Sequence, residues 1–365
     1  MNICIVTGAR PNFVKVAPIV RAIDNACCQG KPISRTIVYA GKADDNTLEP
    51  SLFDDLQMPR PDVYLNVDCE NLNELTGQVM SAFENYLHEH PTDVVIVVDD
   101  LASTMAAAIV TKKQGVTLAH LVAGTRSFDI NMPKEINRLV IDGLSDLLFT
   151  AGMSGQNSAA REGAEMSKVY IVGNILLDTL RFNLKRFARP QLLDDLGIAD
   201  KRYIVFTLNR KALIADSDNL RLMLLSLLKS AKGTAIIAPL REKAADKVRS
   251  LLPPQTDNFH IVSPLGYLEF GYLTSNALGI VTDSGNVAEE ATFNGVPCIT
   301  LNSYTEHIET VRQGTNVLVG EDAGLLGECT AQMVSGRWKE SAIPDRWDGH
   351  SAERIVQILL DYNIT

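Results

Sequence analysis

The chain has 365 residues, 46% of them hydrophobic and 21% charged, a globular composition with room for two domains rather than one core. Its formal net charge of −10 argues against nucleic-acid binding, which leaves a basic footprint, but leaves room for one basic pocket around a nucleotide diphosphate. There is no run of about 18 apolar residues, so no membrane span is expected.

The first residues, Met1-Asn2-Ile3-Cys4-Ile5-Val6, run straight into a strand-like segment without the basic-then-apolar build of a signal peptide. Apolar, β-branched strand candidates follow at Ile3–Val6, Thr36–Tyr39, Val94–Val98, Leu118–Leu121, Leu147–Phe149 and Val169–Val172. Between them, Phe13–Ala26, Glu74–Leu87 and Thr104–Lys113 carry helical periodicity. The pattern restarts with strands at Tyr203–Thr207, Ala235–Ala238, His260–Val262, Gly279–Thr282 and Cys298–Leu301, separated by helices at Leu220–Leu228, Glu242–Leu251 and Val287–Phe293. A joint is expected in Arg186–Lys201, after a helix over Leu176–Phe187, and Ala352–Tyr362 reads as a terminal helix.

Strict β/α alternation in two rounds predicts an α/β protein of two Rossmann-like, doubly wound domains with a ligand in the cleft between them. The expected division is 1–185, 186–349 and a C-terminal helix in 350–365 packing back on the first domain. Six scattered cysteines (Cys4, Cys27, Cys28, Cys69, Cys298, Cys329) have neither metal nor disulfide spacing and read as small buried hydrophobes of a reducing, cytoplasmic compartment.

Three segments could carry chemistry. Thr7-Gly8-Ala9-Arg10-Pro11-Asn12-Phe13-Val14-Lys15 turns a strand into a helix whose first N–H groups, with Arg10 and Lys15, suit an anion. Thr282-Asp283-Ser284-Gly285-Asn286 opens a second such helix, with Glu290 one turn in, where a carboxylate can take both hydroxyls of a ribose. His120 to Asp129, followed by Met132-Pro133-Lys134-Glu135-Ile136-Asn137-Arg138, joins a strand to a helix through a loop. Each segment taken alone is also an ordinary capped turn with solvated charges. G-x-G-x-x-G, Walker A, H-E-x-x-H and G-x-S-x-G are all absent, and the six histidines do not cluster with carboxylates, so neither a metal nor a serine nucleophile is expected.

In this order the segments resemble the non-hydrolysing UDP-N-acetylglucosamine 2-epimerase family. The resemblance also rests on Phe53-Asp54-Asp55-Leu56, Val172-Gly173-Asn174 and Gly314-Thr315-Asn316, and spans nearly the whole chain. It implies the GT-B arrangement, a UDP-N-acetyl-sugar as ligand, a homodimer, no metal and no nicotinamide cofactor. Family members serve surface polysaccharide; they eliminate UDP across C1–C2 of the sugar and re-add it with inversion at C2. Arg10, Lys15, Arg210, Phe270, Ser284, Gly285 and Glu290 match UDP-holding positions.

The catalytic positions match less well. Asp100 and Glu135 fall on family carboxylates, while Val122, Lys134 and Asn209 stand where the family has glutamate, glutamate and histidine. Asn302 replaces an arginine, and Gly41-Lys42-Ala43 replaces a loop of the family's second, regulatory UDP-sugar site. Losing one positioned acid or base typically costs about 10²–10⁴-fold in rate. The expected activity is therefore UDP-sugar binding with classical epimerisation impaired. The alternatives are a non-catalytic, regulatory partner of an active epimerase paralogue, or a glycosyltransferase on the same scaffold.

Overall fold

A computed structural model describes residues 1–48 and 50–362. They form two compact units, one from Met1–Phe182 with the chain from Asp345 onward, the other from Asn183–Pro344.

The first unit holds seven parallel strands: β1 (Asn2–Thr7), β2 (Ser34–Tyr39), β3 (Val63–Tyr64), β4 (Val94–Val98), β5 (Thr117–Leu121), β6 (Leu147–Thr150) and β7 (Val169–Ile171). Their order across the sheet is β3-β2-β1-β4-β5-β6-β7. All five residues of β4 are buried, because helices cover both faces of a parallel sheet and leave no polar side to alternate with. Helices Leu72–Glu89 and Ala102–Lys113 press Phe83, Ala107 and Val110 onto Cys4, Val95 and Val97.

The second unit has β8 (Tyr203–Phe206), β9 (Ala235–Pro239), β10 (Phe259–Val262), β11 (Gly279–Thr282), β12 (Cys298–Thr300) and β13 (Asn316–Leu318), also all parallel. Their order is β10-β9-β8-β11-β12-β13. In each sheet the strand order reverses once, between β1 and β4 and between β8 and β11, which is where an open parallel sheet leaves a crevice at the carboxyl ends of its strands.

β3 and β13 were not expected from the sequence. β3 has two residues, and β13 begins with the polar Asn316, so neither shows an apolar run. The chain leaves the first unit after helix Ile175–Asn183, which ends in a short turn at Leu184–Arg186. It returns through the fully buried Trp347, whose indole N–H donates to Ala151 O at 3.1 Å. Helix Ser351–Asp361 then packs on helix Arg10–Cys28, its start capped by Asp178 Oδ2 accepting from Ala352 N at 2.7 Å. Of the expected terminal segment, residues 363–365 lie outside the described residues.

The cysteines divide. Cys4, Cys298 and Cys329 are buried as expected, whereas Cys27 and Cys28 are exposed at a helix end and Cys69 is half-buried. No helix among the described residues is long and apolar enough to cross a membrane.

Candidate functional site

At the β1/β4 reversal, the turn after β1 packs closely on the start of helix Ala102–Lys113. A Cβ on Gly8 would stand 1.9 Å from Ser103 Oγ. Asn12 Oδ1 accepts from Gly8 N (2.9 Å) and Ala9 N (3.2 Å), so the turn's first amides are satisfied internally. The same side chain donates to Asp99 Oδ2 at 2.9 Å, and Lys15 Nζ meets Asp99 Oδ1 at 2.6 Å. Lys15, expected at the nucleotide, is thus bound to a neighbouring loop, while Arg10 sits half-buried as the first residue of the helix. Asp99 itself has a left-handed φ of 58°.

Asp100, the next residue, is buried and held by two cations on helix Pro133–Leu144. Arg138 donates to Asp100 Oδ2 through Nε (2.8 Å) and Nη2 (2.6 Å), and Lys134 Nζ stands 3.3 Å from Oδ1. Burial pushes the Asp100 carboxyl up, but Arg138 and Lys134 outweigh it and hold it below the usual carboxylate range. Glu135 accepts from Ser127 N (2.9 Å), Ser127 Oγ (2.8 Å) and Phe128 N (3.0 Å), and lies 3.3 Å from Arg138. Here too burial opposes ionisation, and the Ser127 and Phe128 donors with Arg138 overcome it and lower the pKa. Both carboxylates are therefore firmly ionised and surrounded by donors.

Val122 is half-buried with φ 71°, a left-handed conformation that a β-branched residue rarely adopts. A buried network holds the backbone around it. Asp142 accepts from Gly124 N (2.9 Å) and Arg126 Nη2 (2.6 Å) and lies 2.5 Å from His120 Nδ1. His120 Nε2 is 3.0 Å from Asp99 O, and Arg126 also pairs with Glu162.

The β8/β11 reversal of the second unit is built alike. Asp283 Oδ2 accepts from Asn209 N (2.6 Å) and Arg210 N (2.5 Å), tying the two loops together. The Asn209 residue is exposed. Arg210 Nη1 donates to Asn302 Oδ1 at 2.9 Å and Nη2 pairs with Glu321, while Asn302 Nδ2 donates to Asp283 O at 3.0 Å. Helix Gly285–Asn294 starts beside them; Gly285 is exposed, and the Ser284 side chain makes no capping bond. Glu290 is buried one turn in, with no hydrogen-bond donor to it among the described residues. Burial, and secondarily Glu289, pushes its carboxyl up to about 8. Phe270 lies half-buried on helix Tyr267–Ser275, against the core of this unit.

Arg138, Asp99, Asp283 and Glu321 were not singled out for these roles from the sequence. Only Arg138 left a signal there, being three residues from Glu135 and four from Lys134, one helical face. No cluster of three or more potential metal ligands exists among the described residues.

The model of the UDP-N-acetylglucosamine 2-epimerase family matches residues 25–360. A UDP-N-acetylglucosamine 2-epimerase homolog from Methanococcus maripaludis is 33% identical over 363 residues, covering 98% of this chain and 99% of that protein. A UDP-2,3-diacetamido-2,3-dideoxy-D-glucuronate 2-epimerase from Pseudomonas aeruginosa is 31% identical with the same coverage. The crystal structure of Methanocaldococcus jannaschii UDP-GlcNAc 2-epimerase in complex with UDP-GlcNAc and UDP matches at a TM-score of 0.84 and 32% identity, covering 99% of this chain and 100% of that one. Two parallel α/β sheets, the motifs at their strand reversals and sequence likeness over the whole length agree: the chain belongs to the UDP-N-acetylglucosamine 2-epimerase family.

Proposed function

We propose that this protein binds a UDP-N-acetyl-sugar and that proton exchange at C2 is not its principal activity. The observation that carries the second half is the grip of Arg138 and Lys134 on Asp100. A general base works best with a pKa near the working pH, and two cations in contact make this carboxylate a poor proton acceptor. Glu135 is committed to its loop and Val122 has nothing to protonate.

The nucleotide end is better equipped. Glu290 is a buried acceptor set for ribose hydroxyls, the start of helix Gly285–Asn294 with Ser284 suits a phosphate, and Phe270 offers an aromatic face to uracil. Arg210 can serve the diphosphate by exchanging Glu321 for it.

Calorimetry with UDP and UDP-GlcNAc, together with incubation of UDP-GlcNAc in D2O, tests both halves. Binding is expected, with no deuterium at C2 and no free UDP. Deuterium uptake at the rate of an active relative run alongside would overturn the loss of proton chemistry. Failure to bind either ligand would overturn the binding.

A further inference from the structure

Asp99 carries a carboxylate on a stretch of backbone that favours glycine. Its φ of 58° is left-handed, a region that a side chain enters at steric cost. The residue is locked there from both sides. Its N–H donates to Leu121 O at 3.3 Å, and its O lies 3.0 Å from His120 Nε2. His120 is fixed in turn by the buried Asp142, 2.5 Å from Nδ1.

The side chain so placed fills an anion position. Asp99 Oδ1 meets Lys15 Nζ at 2.6 Å and Oδ2 accepts from Asn12 Nδ2 at 2.9 Å, both donors from the first two turns of helix Arg10–Cys28. The Asp99 and Lys15 side chains are 16% and 12% exposed, so solvent screens the pair little. Asn12, fully buried, also accepts the N–H groups of Gly8 and Ala9. Two amides and one ammonium that would meet an anion at this turn are thus engaged by the chain itself.

Releasing them is unfavourable. Aspartate has two side-chain torsions, and with its backbone held by Leu121 and His120 the carboxylate cannot swing clear without losing both contacts. A phosphate approaching Lys15 would stand beside Asp99, and two anions on one ammonium repel across a poorly screened site.

We infer that Asp99 is a specificity-determining residue, an internal anion that makes the β1 turn of the first unit reject phosphate groups. The inference rests on the function proposed above only for the class of ligand, a nucleotide diphosphate. The diphosphate contacts assigned there, Arg210 and the start of helix Gly285–Asn294, both belong to the second unit. Lys15 is the counter-ion of Asp99.

The test is calorimetry on the full chain with inorganic pyrophosphate and with UDP. Asp99→Gly removes the carboxylate and suits the positive φ, and should bind pyrophosphate about tenfold more tightly than wild type. Asp99→Asn keeps the shape and tolerates the same backbone without the charge; it should gain about threefold or more, and it decides the question if the glycine variant does not fold. Adding Lys15→Met to Asp99→Gly should cancel the gain, because Lys15 is the cation set free.

Pyrophosphate affinity unchanged in folded Asp99→Gly and Asp99→Asn would overturn the inference, and so would a gain that survives Lys15→Met. Either result leaves the proposed function intact if wild type binds UDP. A wild-type chain that binds no UDP, while Asp99→Gly gains pyrophosphate through Lys15, would instead bring down the proposed function and support the role of Asp99.

Discussion

Binding of a UDP-sugar should release a proton from Glu290. Its carboxyl is raised from 4.5 to about 8 by burial and, less strongly, by Glu289. At pH 7 about one molecule in ten therefore carries the ionised form. Ribose hydroxyls donate hydrogen bonds, so the ligand selects the carboxylate, and apparent affinity is the intrinsic affinity scaled by the ionised fraction. The sign follows: affinity climbs as pH rises toward 8 and levels off above it. Between pH 8.5 and pH 6 the ionised fraction falls to about one in a hundred, which weakens binding by close to two orders of magnitude, or about 2.5 kcal/mol. UDP-GlcNAc suits the assay because its substituted diphosphate does not titrate in this window. Calorimetry at pH 7 in two buffers of different ionisation enthalpy should report nearly one proton released. Glu290→Gln should bind with a flat pH profile and release none. Wild-type affinity that is flat across this range, or proton uptake on binding, would refute the assignment of Glu290 to the ribose.

Asp178 caps helix Ser351–Asp361 with a carboxyl raised from 3.8 to about 6, chiefly by burial. The folded protein thus holds this proton more tightly than the unfolded chain, and stability drains as pH rises through 4 to 6; Asp178→Asn should gain about 2.4 kcal/mol on wild type between pH 4 and pH 7.5 in urea unfolding, and a gap that does not change with pH would contradict this. Lys134→Gln removes the cation 3.3 Å from Asp100, a contact worth about 1 kcal/mol because Lys134 is 64% exposed and screened. Carboxyl-carbon NMR should show Asp100 titrating higher, and an unmoved titration would exclude Lys134 as its counter-ion. Gly124 has φ 73°, and a Cβ there would stand 2.2 Å from Gly155 O. Gly124→Ala should cost about 3 kcal/mol or more, and a variant that melts with wild type would disprove the close approach.

The alternation of strands and helices was legible because strands buried on both faces must be apolar throughout, as Val94–Val98 is, so each announces itself locally. The turn at Gly8 was legible as a small residue where a strand passes directly into a helix, and there a Cβ would meet Ser103. The substitutions Val122, Lys134 and Asn209 could be read directly against the resembling family. Their consequences could not.

That Lys134 reaches Asp100, that Lys15 is bound to Asp99, and that Glu135 clamps the Phe128 backbone depend on loops brought together by strand order. The exposure of Cys27 and Cys28 and the left-handed backbone of Val122 likewise have no local signature. Asp100 and Arg138 stand 38 positions apart in the chain and in direct contact in the fold. Sequence alone determined which charged groups the protein owns and which elements carry them. Tertiary structure decided which of those charges neutralise one another, because Coulomb energy and desolvation depend on distance and burial, and both are set by how β1, β4 and β5 lie side by side.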